Sequence, residues 1–190
     1  RNRYIGLHFK NARGTTKFFN YQWGTPSSIT IDRSIFSNNG NQTIATDPNG
    51  NYDDAIRYLN FGDSTIITNT IFENNFGKIR LDGNNFTIKY NRFSNNNLNV
   101  SKPNGWVRSG VIDGWVNGKT LITDNIFTNN GTKEILNNGN NNRQNYVLMI
   151  GGNDTLSVTN NTFYGNLVPA ISVDNQNPTT YLVNNLFYKN

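Results

Sequence analysis

One pattern of apolar and polar positions recurs six times along the chain, at intervals of 21 to 36 residues. Each copy has an aliphatic residue five positions before a phenylalanine and an asparagine three positions after it, as in TIITNTIFENN from Thr65 and TLITDNIFTNN from Thr120. The alternation around the aliphatic residue predicts a β-strand, and the phenylalanine lies in a second, shorter one. The six phenylalanines are Phe36, Phe72, Phe93, Phe127, Phe163 and Phe187.

A further strand-like segment lies upstream of each of the last five phenylalanines. Turn residues, mostly glycine, asparagine and aspartate, separate it from the phenylalanine motif, for example Gly83-Asn84-Asn85 and Gly151-Gly152-Asn153-Asp154. Each copy therefore predicts strand, turn, strand, polar turn and short strand. The upstream segments are AIRYL from Ala55, KIRLD from Lys78, GVIDG from Gly110, VLMIG from Val147 and AISVD from Ala170.

Repeats of this length predict an all-β parallel β-helix, a solenoid of about six to seven coils. One coil cannot bury its inward aliphatic residue and phenylalanine alone. Stacked coils place each aliphatic residue on an aliphatic residue and each phenylalanine on a phenylalanine, which forms continuous apolar columns. The aliphatic column is expected to contain Ile31, Ile67, Ile88, Ile122, Val158 and Leu182.

Asparagine makes up about a fifth of the chain, which disfavours helix because its side chain competes for backbone hydrogen bonds. An asparagine at the same bend of every coil adopts the left-handed conformation and bonds its amide to the next coil. We expect a second such ladder near Asn69, Asn160 and Asn184, in addition to a first one whose members are given below. The alternative explanation for the many asparagines is a compositional bias of the sequence, above all at scattered positions such as 140 to 142. The first ladder is expected to run through Asn39, Asn75, Asn96, Asn130, Asn166 and Asn190.

The amino-acid composition excludes several kinds of functional site and partner. The absence of cysteine excludes disulfides, thiolate metal sites and cysteine nucleophiles, and the single histidine, His8, excludes a multi-histidine site. The net charge is +5, but the basic residues are spread along the chain, so we expect no nucleic-acid partner. No apolar stretch approaches the length of a membrane span, so we expect no membrane insertion within this segment.

The repeats resemble a known superfamily. LSVTNNTFYGN from Leu156, followed by AISVD from Ala170, resembles the right-handed, single-stranded parallel β-helix proteins of the pectin-lyase-like superfamily. The pattern is most like adhesin-like surface proteins with Phe-x-x-Asn repeats. The likeness covers about residues 28 to 190 and, more weakly, the opening segment from Ile5 to Asn11. It implies a secreted protein at the cell surface, and polysaccharides as the ligands or substrates of the superfamily's enzymes.

We expect a single β-helix domain over residues 1–190, cut from a longer solenoid, with an opening coil over 1–27. The rest of the parent chain, or a partner subunit, is expected to cover its open ends. Three connections, 40–54, 97–109 and 131–145, exceed the usual length of a connection and are candidate functional loops. In a solenoid such loops emerge on one side and build a common face.

That long-loop face is the predicted glycan-binding surface. Tyr52, Trp106 and Trp115 offer aromatic faces on which sugar rings stack, and Arg108 offers a donor for their oxygens. The alternative is that the two tryptophans only cover the edge of a coil. We therefore expect an extracellular, surface-displayed β-helix that acts as an adhesin-like or structural stalk and binds polysaccharides or cell-surface glycans.

Enzymatic activity is a second hypothesis. Asp82 and Asp113 lie on successive strand segments, where adjacent strands of about 4.8 Å spacing give the carboxylate separation of a glycoside hydrolase. Arg57 and Arg80 are the nearest match to the basic groups of a polysaccharide lyase. No residue run reproduces an active-site motif of the superfamily, so no catalytic residue is assigned. A viral tail-fibre β-helix, which would be trimeric, is a further alternative.

No cofactor is expected. Asp47, Asp53 and Asp54 could hold calcium, but no EF-hand or nonapeptide calcium repeat is present, and a solvated loop is the preferred interpretation.

Glycosylation is expected only if the protein is exported. Asn-x-Ser/Thr sequons at Asn41 and Asn99 fall on predicted loops and are the best candidates. The sequon at Asn130 coincides with a ladder position, so burial of its amide would prevent modification.

Overall fold

The computed structural model describes residues 2–12, 28–39, 57–61, 64–75, 78–96, 108–131, 144–152, 154–173 and 179–190. All regular secondary structure in these ranges is β, in nineteen strands that form three sheets, A, B and C. Every pairing between neighbouring strands is parallel, as expected for short apolar strands joined by long connections.

The sheets have the following strands, each given in spatial order. Sheet A contains β1 (Asn2–Ile5), β3 (Ile29–Asp32), β6 (Thr65–Thr68), β9 (Phe86–Lys89), β12 (Thr120–Thr123), β15 (Thr155–Thr159) and β18 (Thr179–Val183). Sheet B contains β2 (His8–Lys10), β4 (Ile35–Ser37), β7 (Ile71–Glu73), β10 (Arg92–Ser94), β13 (Ile126–Thr128), β16 (Thr162–Tyr164) and β19 (Leu186–Tyr188). Sheet C contains β5 (Arg57–Phe61), β8 (Lys78–Gly83), β11 (Arg108–Val116), β14 (Gln144–Gly152) and β17 (Ile171–Val173).

Consecutive strands visit the three sheets in turn. From β5 onwards the chain passes through sheets C, A and B and then returns to sheet C beside the strand it left, so that β5, β6 and β7 pair with β8, β9 and β10. We call each such set of three strands a triplet. Stacked triplets of parallel strands are compatible with the predicted parallel β-helix.

The phenylalanines form a continuous stack inside sheet B. Neighbouring ring centroids lie 4.7 to 5.1 Å apart with interplanar angles of 2 to 17°. Phe9 of the opening segment extends the six-membered column by one ring. From Phe36 to Phe163 these side chains are fully buried, as is the parallel aliphatic column from Ile31 to Val158 in sheet A. Each fully buried large apolar side chain contributes about 1.5–3 kcal/mol, and the two columns form one core with the buried aliphatic residues of sheet C.

The first asparagine column satisfies all the hydrogen bonds of its buried amides. In Asn75, Nδ2 donates to Oδ1 of Asn96 (3.0 Å) and to the carbonyl oxygen of Phe36 (2.9 Å). Its Oδ1 accepts from both the backbone N–H (3.0 Å) and Nδ2 (3.1 Å) of Asn39. The same Nδ2-to-Oδ1 bond, 2.7 to 3.1 Å long, joins neighbouring members along the series Asn39, Asn75, Asn96, Asn130, Asn166 and Asn190.

The left-handed residue is not the one that bonds between triplets. The positive φ angles fall one position earlier, at Asn38, Asn74, Asn95 and Asn129, with values of 53 to 55°. These side chains are exposed, whereas the asparagines that follow them are buried. The expectation that one asparagine does both was therefore wrong: one residue makes the bend, and the next one turns its amide into the core.

The same division displaces the second ladder by one residue from its predicted place. Asn69, Asn160 and Asn184 are exposed and have φ angles of 51 to 56°. The hydrogen-bonded column contains instead the residues that follow the bend, which are Ser34, Thr70, Asn91, Asn125, Asn161 and Asn185.

Two of the predicted loops end earlier than expected, because β11 begins at Arg108 and β14 at Gln144. Gly151 and Gly152, predicted as turn residues, are the last residues of β14. Gly152 has a φ of 138°, and a Cβ there would lie 1.8 Å from the carbonyl oxygen of Val116, so glycine permits this close approach of two strands. Loop 40–54, and most of the opening coil and of the other two loops, lie outside the described residues.

Removal of one ladder amide tests the column. Asn96→Ala leaves the backbone N–H and one Nδ2 hydrogen of buried Asn75 without an acceptor. We therefore expect the free energy of unfolding to fall by about 3 kcal/mol or more. Urea denaturation followed by circular dichroism measures this loss. The control is Asn95→Gly, one residue earlier, where glycine tolerates the positive φ and we expect a loss below about 1 kcal/mol. Equal losses for the two variants would contradict the role of the column.

Candidate functional site

The outer face of sheet C carries a compact group of polar and aromatic side chains. Along β8 and β11 the aliphatic residues turn inward, so Arg80, Asp82, Asp113 and Trp115 share the opposite face. The strand register sets Asp113 beside Arg80 and Trp115 beside Asp82. We call these four residues the sheet C cluster.

Arg80 bridges both carboxylates of the cluster. Its Nε donates to Oδ1 of Asp82 at 2.7 Å, and its Nη1 donates to Oδ1 of Asp113. The Asp113 side chain is 2% exposed and that of Arg80 22%. Burial lowers the pKa of Arg80, but the charges of Asp113 and Asp82 and their hydrogen bonds outweigh it and raise the pKa above its usual value. The guanidinium therefore stays charged and holds two neighbouring strands together.

The contacts of Arg80 affect both candidate catalytic pairs, Asp82 with Asp113 and Arg57 with Arg80. A glycoside hydrolase needs a carboxyl group that gives a proton to the glycosidic oxygen of a bound sugar. Asp113 is instead removed from solvent and turned towards Arg80. In the second pair, the register places Asn60 beside Arg80, whereas Arg57 lies beside Lys78 at a bulge. The two arginines are therefore offset along the strand direction and do not lie side by side as a pair.

Trp115 is the one predicted ligand-binding side chain that the structure describes. It is partly exposed, and in β14 its neighbour is Gly151, which has no side chain to cover the indole. Met149 lies beside Asp113 in the same strand. Gly151 and Met149 were not among the predicted site residues, but alignment of VLMIGG with VIDGWV by their alternation places both on this face.

The other predicted site residues fall elsewhere. Arg108 begins β11 beside Gln144, but its side chain lies outside the described structure. His8 lies in β2 beside Ile35 and is exposed. Outside the described residues lie Tyr52 and Trp106, the candidate calcium ligands Asp47, Asp53 and Asp54, and the sequons at Asn41 and Asn99.

In the described ranges, no three histidine, aspartate or glutamate side chains come together in a way that could hold a metal ion. Within the same ranges no helix has the length and hydrophobicity to cross a membrane.

Comparisons with protein families, with curated proteins and with solved structures gave no significant match for this chain. The sheet C cluster is therefore interpreted from its geometry.

The stability of the cluster can be tested with two arginines. Arg80→Met removes the guanidinium that contacts two mostly buried carboxylates, so we expect a loss of about 3–5 kcal/mol in the free energy of unfolding. Arg92→Met is the matched control, because Arg92 is 55% exposed and lies 3.6 Å from Glu73. We expect a loss below about 1 kcal/mol there. Urea denaturation of both variants decides the matter, and a small loss for Arg80→Met would show that the bridge contributes little.

Proposed function

We propose that this protein is a right-handed, single-stranded parallel β-helix, displayed outside the cell, that acts as an adhesin-like stalk and binds glycans at the sheet C cluster. The observation that carries the proposal is the unbroken phenylalanine stack from Phe9 to Phe187, with the asparagine columns beside it. Columns that hold every triplet in one register make a stiff rod, and a stiff rod presents a site at a fixed place.

Topology supports the hand of the helix. Each connection joins a strand to a parallel neighbour in the same sheet after passing through the other two sheets. Crossovers between parallel strands are right-handed in about 98% of cases. Location outside the cell is supported by the likeness of the Phe-x-x-Asn repeats to adhesin-like surface proteins.

The chemistry of the cluster supports a glycan as ligand. Sugar rings present C–H groups that stack on an indole, and hydroxyl groups that donate to carboxylates. The structure offers both at neighbouring positions, in Trp115 and Asp82, with Gly151 on the other side of the indole. Because the three positions lie on strands and not on loops, the site is rigid before a ligand arrives.

A glycan array tests the binding site. We expect the 190-residue chain to bind at moderate salt, and Trp115→Ala to weaken binding at least tenfold. The control is Tyr90→Ala, which removes a 53% exposed aromatic ring at a bend beyond sheet A and should bind as the wild type does. Circular dichroism establishes that both variants are folded. Equal binding by Trp115→Ala and the wild type would show that the glycan binds elsewhere. Absence of binding to every glycan on the array would refute glycan binding but not the role as a stalk.

Polysaccharide hydrolysis is the second candidate, because Asp82 and Asp113 lie on adjacent strands of one face. Its test is the appearance of new reducing ends from any bound polysaccharide, with Asp113→Asn as the inactive variant. Because Arg80 contacts both carboxylates, we consider hydrolysis a weaker candidate than glycan recognition.

A further inference from the structure

We infer that the surface of the last triplet, formed by β17, β18 and β19, binds a further coil of the same repeat that another polypeptide supplies. The incoming coil lies parallel to β18 and β19 and offers a side-chain oxygen, from asparagine, serine or threonine, at each of the two ladder positions. We call this surface the β19 end of the stack, and the surface of β1 and β2 the β1 end. The inference is independent of the glycan site, which lies on the outer face of sheet C.

The β19 end exposes side chains whose equivalents in the four preceding triplets are buried. Phe187 is 49% exposed and Leu182 52%, whereas Phe163 and Val158, their neighbours in the same columns, are fully buried. A contiguous apolar surface of this kind is typical of an interaction site. Seven of the twelve large apolar side chains that are exposed among the described residues belong to this triplet: Val173, Tyr181, Leu182, Val183, Leu186, Phe187 and Tyr188.

Both ladders reach the β19 end with unused donors. Asn166 donates from its backbone N–H and from Nδ2 to Oδ1 of Asn190, at 3.2 and 2.7 Å. Asn161 makes the same pair of bonds to Asn185, at 3.0 and 3.1 Å. Among the described residues, no atom accepts from the backbone N–H of Asn185 or Asn190, and each Nδ2 donates only to a backbone carbonyl of the preceding triplet. Each position therefore keeps the pair of donors that one further side-chain oxygen would satisfy.

The β1 end is closed to the same kind of partner. Leu7 occupies the second ladder position there, and its backbone N–H donates to Oγ of Ser34 at 3.2 Å. Ala12 occupies the first, and its backbone N–H donates to Oδ1 of Asn39 at 3.1 Å. Neither side chain has an oxygen that could accept from a preceding coil. The ladders thus have a direction, and only the β19 end can extend them.

A second copy of the chain does not supply the missing acceptors. Stacked head to tail, its β1 end brings Leu7 and Ala12 to the two positions. Stacked tail to tail, it brings Asn185 and Asn190, whose Oδ1 atoms already accept two hydrogen bonds each from the preceding triplet. The occupant is therefore a different polypeptide, which adds its strands at the open edges of sheets A and B.

A synthetic peptide of residues 155–166 tests the inference, since it contains β15, β16 and both ladder asparagines of the preceding triplet. The matched control peptide carries Asn161→Leu and Asn166→Ala, the residue types of the β1 end. Each peptide has a dye at its amino terminus and is titrated with the whole 190-residue chain, and fluorescence anisotropy measures the affinity. We expect the unmodified peptide to bind about tenfold more tightly or better, because it supplies acceptors for donors that binding removes from water.

Two variants of the chain locate the peptide. Phe187→Ala shortens the phenylalanine stack at the β19 end, and we expect it to weaken peptide binding about tenfold or more. Phe9→Ala is the matched control, because it shortens the same stack at the β1 end and should bind the peptide as the wild type does. Circular dichroism establishes that both variants are folded, and sedimentation velocity of the wild type alone should show a monomer.

Equal affinity for the two peptides, or no binding of either, overturns the inference. The comparison of the peptides uses the wild-type chain, so it decides the matter even if Phe187→Ala disturbs the last triplet. Peptide binding that is lost in Phe9→Ala and kept in Phe187→Ala overturns the inference too, because the coil would then dock at the β1 end. Self-association of the wild type that Phe187→Ala abolishes has the same effect, since a second copy would then cover the β19 end.

Discussion

The amide–amide hydrogen bond between equivalent asparagines is the interaction on which the rest of this structure depends. A bend in a buried chain exposes backbone N–H groups that have no partner in the sheets, and an unpaired buried polar group costs about 1–3 kcal/mol. Asn75 removes that cost on both sides, since its Oδ1 accepts from the preceding asparagine while its Nδ2 donates to the following one. Without these bonds the bends could not stay beside the phenylalanine stack.

The ladder leads directly to the candidate site. Bends held in register keep the strands of all three sheets in register, and sheet C has no ladder or aromatic stack of its own among the described residues. There an ion pair joins two neighbouring strands, from Arg80 in β8 to Asp113 in β11, while Asp82 holds the same guanidinium from within β8. The cluster is therefore a structural bridge as well as the binding site that we propose, and its position depends on the register that the ladder sets.

The parts of this architecture that could be predicted from the sequence are those in which one residue type recurs at fixed spacing. The phenylalanines and the first asparagine column occupy the same position in each triplet, so spacing alone pairs them. The second column was misplaced by one residue because Ser34 and Thr70 occupy its first positions, while asparagines make several of its bends, at Asn69, Asn160 and Asn184. The sheet C bridge occurs only once, and its pairing depends on a strand register that no repeat reveals.

The ladder bonds keep nearly constant length although the chain between their partners varies from 21 to 36 residues. Closing a longer connection costs little, about 0.6 kcal/mol for each doubling of its length. The start and end of each connection are thus fixed points between which segments can lengthen, shorten or be exchanged. Such a scaffold can diversify its surface over evolutionary time without altering its core, and the same property makes it a suitable frame for grafting foreign peptides.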